Sequence, residues 1–136
     1  MKKYVNFIND LRTLESERHV PHDTKVEQAG ISWLFALEVE LAWKLLKQTM
    51  TDLEGSDVAR TLGPPRAVVK EAYRVYDFID EDLWIDMLRA RNAVAHVYDE
   101  ESARALSEDA LTRYLPAFQA VERGLLERYR RETLEG

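Results

Sequence analysis

The stretch MLRARNAVAHVYDE, residues 87–100, gathers the side chains best equipped for chemistry in this 136-residue chain: Arg91, Asn92, His96 and Tyr98. An arginine fork binds anionic oxygens, and an imidazole exchanges protons near neutral pH. Their spacing raises a geometric question. At about 100° per residue, Trp84, Leu88, Arg91, Ala95 and Tyr98 form one heptad-like seam with the arginine in its middle. Asn92 and His96 lie one turn apart on the neighbouring strip, with Arg89 beside them. Arg91 and His96 therefore diverge by about 140° on a regular helix, and one helix face cannot present both. Two copies of the helix could, or a helix that frays near His96. The spacing equally admits structural roles. An arginine head can reach for water or for a carboxylate on the next helix, and a histidine suits the negative end of a helix dipole.

The totals bound what such residues can be asked to do. The chain is the size of one domain, residues 1–136, and buries enough surface for a core without staples. It has no cysteine, so disulfides and thiolate metal sites are excluded. No apolar run approaches the roughly 20 residues that span a bilayer. Lys2 and Lys3 are followed by Asn6, Asn9, Asp10 and Arg12, so neither a secretory leader nor a membrane location is expected. A cytoplasmic protein is the natural reading. With 19 Lys and Arg against 25 Asp and Glu, the net charge is −6. A broad basic face for coating nucleic acid is thus excluded, and any nucleic-acid chemistry must sit in a local basic pocket, including one assembled between subunits.

Helical periodicity runs through most of the chain, and strand alternation is missing. A first helix is predicted over Lys3 to Arg18, with Tyr4, Phe7, Ile8, Leu11 and Leu14 on one side. Thr24 and Glu27 have the spacing of a capping box, opening a second helix that runs to about Leu53. Its apolar faces are expected from Val26, Gly30, Trp33, Leu34, Leu37, Leu41, Leu45 and Leu46, with Trp33 and Trp43 in a core or subunit interface. Residues 55–63 read as a loop. Pro64 and Pro65 fit the opening turn of a third helix carrying Val68, Val69, Ala72 and Tyr73. Asp80, Glu81 and Asp82 crowd the start of the fourth, which leads into the signature. A last helical stretch runs from about Glu100 to Arg131, kinked at Pro116. The expected fold class is all-α, an up-and-down antiparallel bundle of four to five helices.

RNAVAHVY resembles the Arg–x4–His–x–Tyr signature of the HEPN superfamily, in its HepT-type branch, also described as nucleotidyltransferase substrate-binding proteins. The similarity extends to EQAGISWLFALEVELAWKLLK (27–47), with its Glu40, Trp43, Lys44, Lys47 pattern, to PRAVVKEAY (65–73) and to LWIDMLRARNAVAHVYDE (83–100). Ala36 and Val39 depart from the acidic and aromatic residues of similar chains.

The resemblance implies a homodimer in which the motifs of two chains face one cleft. It implies a metal-independent endoribonuclease toxin without cofactor, acting on an RNA substrate. His96 would move a proton at the ribose 2′-OH or the leaving oxygen, Arg91 would hold the scissile phosphate, and Asn92 would orient one or the other. It further implies a cognate minimal nucleotidyltransferase antitoxin that transfers AMP onto Tyr98, whose added bulk and charge would exclude an RNA phosphate. The alternative is a non-catalytic subunit that presents a substrate or nucleotide to that enzyme. Elsewhere, His19 and His22 flank Pro21, which prevents helical presentation of a metal pair, so a loop is expected there. Glu40 and Lys44 read as an ordinary i,i+4 pair. The acidic run YDEESARALSED reads as a solvated helix start, with docking of the partner enzyme as its other possible role.

Overall fold

The computed structural model describes residues 1–96 and 99–136. Among these residues the chain is helical throughout, with α1 (Lys2–Glu17), α2 (Lys25–Asp52), α3 (Asp57–Thr61), α4 (Pro65–Val75) and α5 (Glu81–Ala93) followed by a 3₁₀ turn (Val94–His96). Beyond residue 98 come α6 (Glu100–Asp109), a π-helical turn (Ala110–Tyr114), α7 (Leu115–Arg128) and α8 (Arg131–Glu135). The all-α bundle is as expected, and no described helix is long and apolar enough to cross a membrane.

The capping box forms as the sequence implies. Thr24 accepts from the Glu27 backbone N–H at 3.1 Å, and Glu27 accepts from the Thr24 N–H at 3.0 Å. From that start α2 runs 28 residues, about 42 Å, and serves as the axle of the bundle. Helices α1, α4, α5, α6 and α7 all pack on it. Its buried face is Ile31, Phe35, Val39, Ala42, Leu45, Leu46 and Met50. The sequence reading of this helix needs correction. Val26 is 83% exposed and Trp33 62% exposed, and Gly30 also faces open space. These three lie on the stripe opposite the core, so Trp33 is no core residue.

An aromatic cluster joins three helices at the centre. Phe35 of α2 stacks on Tyr114 with ring centroids 5.1 Å apart and lies 6.2 Å from Phe118 of α7. Trp84 of α5 meets Phe118 edge-on at 5.9 Å. The last helical stretch is not one kinked helix. Pro116 has no N–H to donate, and the chain absorbs this ahead of the proline, where Leu115 N–H bonds the Ala110 carbonyl in a π turn. A second break at Tyr129 and Arg130 separates α8. The predicted loop at 55–63 contains α3, capped by Ser56 accepting from the Ala59 N–H at 3.0 Å.

Two glycines are needed where they stand. Gly55 adopts φ +66°, a left-handed turn at the end of α2. At Gly124 an added Cβ would lie 2.0 Å from the Phe78 ring, which packs directly over that backbone.

Two polar arrangements set the bundle's interior. At one end, Thr49 Oγ1 and Tyr76 OH share a bond of 2.7 Å, and Tyr76 OH and Tyr129 OH one of 2.8 Å. Tyr129 donates to Glu54 at 2.5 Å, and Glu54 accepts both arms of Arg128 at 3.0 Å. Burial pushes the Tyr129 phenol up, and the Arg128 fork holds Glu54 below the usual carboxylate range. Between α1 and α2, by contrast, Glu38 is wholly buried beside Asp10, and among the described residues that neighbouring carboxyl is the one group its own carboxyl can bond. Burial raises both carboxyls, Asp10 to about 6 and Glu38 much further, with the neighbouring Asp10 adding to the rise at Glu38.

Candidate functional site

Helix α5 is seated before it reaches the signature. Asp80 caps it, accepting from the Leu83 N–H at 3.2 Å, and Trp84, Ile85, Met87 and Leu88 are buried. Its last turn carries Arg91, whose side chain is 21% exposed and forms an ion pair through Nη1 with Glu40 Oε1 of α2. This is the inter-helix carboxylate that the spacing admitted. Glu40 also meets Lys44 Nζ at 3.6 Å, so the pair read as an ordinary surface contact is half of a three-residue chain. Arg91 Nε is buried without a hydrogen-bond partner among the described residues.

Past Ala93 the chain tightens into the 3₁₀ turn. The change of winding alters the seam. Val94 turns partly into the core, while Ala95, expected in the seam, is exposed. Three residues per turn over Val94–His96 also leave Arg91 and His96 about 160° apart, so the tightening does not bring them onto one face. Arg91 points to α2, whereas His96 and Asn92 are exposed and make no hydrogen bond among the described residues. Arg89 pairs with Asp86 at 3.6 Å, and Asp86 also takes Arg113 at 2.9 Å. Tyr98 lies outside the described residues, so its place in the seam and its reactive oxygen do not enter this geometry.

After the signature, Asp99 caps α6, accepting from the Ser102 N–H at 2.8 Å and from its hydroxyl at 2.9 Å. Both bonds hold the Asp99 carboxyl below its ordinary range. Glu100 and Glu101 follow, exposed in the first turn, as a solvated helix start requires. Between α6 and the α1–α2 loop lies a polar groove of about 410 Å³, where Arg18, His22 and Arg104 mix with Asp23, Glu100 and Glu108. His22 belongs to the loop. It contacts Glu17 at 3.4 Å, and its carbonyl accepts from Gln28 at 3.0 Å. No group of three or more metal-ligating side chains occurs among the described residues.

Sequence reasoning missed Glu40 as the partner of Arg91, which lies 51 positions away and carries no periodic signal. It also missed the buried Asp10–Glu38 pair, although acidic residues inside an apolar helical pattern are a legible cue.

Fold and site together define a small all-helical module, its polar signature displayed at the end of one firmly seated helix. The family described as "Nucleotidyltransferase substrate binding protein like" matches residues 1–127, and the chain belongs to that family. No curated protein matches the chain.

Proposed function

We propose that this protein is a HEPN-type, HepT-like endoribonuclease toxin that works as a homodimer beside a cognate minimal nucleotidyltransferase. One observation carries the reading. Arg91 is anchored inward on Glu40 while His96 and Asn92, past the same helix's last buried turn, stand exposed and unpaired among the described residues. An exposed histidine without a protein partner adds little to the fold and is free to meet a ligand. A second copy across a two-fold axis supplies the arginine that one chain cannot place beside its own histidine.

In this reading an imidazole of His96 accepts the ribose 2′-OH proton, and the 2′ oxygen attacks the phosphorus. The bond to the 5′ oxygen breaks, and that oxygen takes a proton from an imidazolium, leaving a 2′,3′-cyclic phosphate and a free 5′-OH. Glu40 takes Nη1 of Arg91 and Nε is buried, which leaves Nη2 to hold the phosphate as charge develops. Asn92 orients the imidazole or the phosphate. Neutralisation is AMP transfer to Tyr98. The phenol oxygen attacks the α-phosphorus of ATP, pyrophosphate leaves, and the phenol proton passes to solvent. The family's description favours a second reading, a non-catalytic subunit that presents substrate to the nucleotidyltransferase.

Purified protein should cleave single-stranded RNA, and incubation with the nucleotidyltransferase, ATP and Mg²⁺ should add AMP to the Tyr98 peptide and stop cleavage. Tyr98→Phe should cut RNA as the parent does and escape this silencing. A parent protein that cuts no RNA would leave the substrate-presenting reading in its place.

A further inference from the structure

The chain carries six more acidic than basic residues, yet one groove reverses the balance. Along the C-terminal half of α2, at the start of α1, a groove of about 360 Å³ is lined by Lys3, Trp43, Lys44, Lys47, Gln48, Thr51 and Asp52. Three ammonium groups and one carboxylate line it, and Lys44 also pairs with Glu40 at 3.6 Å. Its size falls in the range of small-ligand pockets, about 300–1,000 Å³.

The polar chemistry of its walls is unfinished. Trp43 Nε1, Gln48 Oε1 and Thr51 Oγ1 are all buried, and none has a hydrogen-bond partner among the described residues. Buried polar atoms are normally satisfied, and the three residues that carry these orphans all line the groove. The half-buried Trp43 indole offers a flat apolar wall, with Lys44 Nζ 5.6 Å from its ring centroid. Lys47 Nζ is fixed at the groove by donating to the Leu62 carbonyl at 2.5 Å. Lys3 is exposed and makes no ion pair among the described residues.

We infer that this groove binds a nucleoside phosphate, the base lying along Trp43 and the phosphate among Lys3, Lys44 and Lys47. Flat rings with polar edges and an anionic tail match an aromatic wall, orphan hydrogen-bonding atoms and clustered ammonium groups. The groove also adjoins the signature. Lys44 stands one turn from Glu40, about 6 Å along α2, and Glu40 holds Arg91. The inference rests on the ribonuclease reading to this extent: a strand whose scissile phosphate is held by Arg91 would continue along α2 into this groove.

The test uses full-length His96→Ala protein, so that binding is read without cleavage, with indole nitrogens labelled for NMR. The probes are AMP and an eight-nucleotide single-stranded oligouridylate. The Trp43 indole resonance should shift on titration while those of Trp33 and Trp84 stay in place. Lys3→Glu, a surface change that leaves the core alone, should weaken binding about tenfold and flatten its salt dependence. Lys70→Glu, on the far side of α4, should leave it unchanged. Shift by AMP at the same nucleotide concentration identifies a free nucleotide as the ligand; shift by the oligonucleotide alone identifies RNA. A Trp43 resonance unmoved by both probes, or equal binding to Lys3→Glu, overturns the inference. Cleavage by the parent is measured separately. Intact cleavage without Trp43 binding removes only the groove, and binding without cleavage removes only the ribonuclease reading.

Discussion

The two polar ends of the bundle are built on opposite terms. At the Tyr76 end every group is answered: Thr49, Tyr76, Tyr129, Glu54 and Arg128 form one connected run of hydrogen bonds joining α2, α4 and α7. At the signature end, Arg91 has one partner and His96 and Asn92 have none among the described residues. A satisfied network fixes geometry and contributes stability. Exposed, unpaired groups at the end of a seated helix contribute little to stability and remain available to a ligand. The difference teaches where to look for work in this molecule: the polar residues it could lose without unfolding are those that it displays.

The largest expected effect separates the two ends. His96→Ala should lower RNA cleavage by about 10²–10⁴-fold in a gel assay, with a melting temperature within about 2 °C of the parent. Equal activity in the variant would break the comparison. At the other end, Tyr76→Phe removes a buried hydroxyl that links two others, and should cost about 1–3 kcal/mol in urea unfolding. Cleavage at 25 °C should be unchanged. A Tyr76→Phe protein that is as stable as the parent would show that the network is ornamental.

The buried carboxyl pair sharpens the same contrast, because it is a polar site that is neither satisfied nor displayed. The folded state raises both pKa values, so it binds more protons than the unfolded chain. The pair's contribution is therefore fully present below the ordinary carboxylate range and is lost as pH rises through about 6 for Asp10 and beyond for Glu38. Glu38→Gln should flatten the stability profile between pH 5 and 8 by about 1–2 kcal/mol, read from urea midpoints across that range. A parent profile that rises with pH would contradict the direction. The smallest effect is expected at Glu40. Its pair with Arg91 is partly exposed, so Glu40→Gln should cost about two- to fivefold in cleavage and leave folding intact.

Local signals were readable where local chemistry decides. The Thr24–Glu27 box, the acidic start of α5 and the apolar side of α1 stand where the residues place them. Helix α2 was harder because apolar residues line it nearly all round. Trp33 and Val26 fit a helical period as well as Phe35 and Val39 do, and only the packed neighbours choose between the two sides. Pro116 announces a break in the last stretch, but not that the chain would absorb it one turn earlier, as a π turn that shifts the register. At the site, the residue types and the divergence of Arg91 from His96 were legible. The anchoring of Arg91 by Glu40 was not, because it joins helices whose separation in sequence says nothing of their contact.

In the proposed function the site is shared between two copies, and mixing inactive chains separates that arrangement from a site within one chain. Arg91→Ala and His96→Ala proteins are each expected to be dimers of twice 15.8 kDa by sedimentation, and each is expected to be inactive. Co-refolded in equal amounts, half of the dimers contain one of each and so carry an intact arginine facing an intact histidine. Cleavage should return, at up to about a quarter of the parent's rate, since at most half of the sites in half of the dimers are whole. A mixture that forms mixed dimers, shown by differential tags, yet stays as inactive as either variant alone would contradict the shared site.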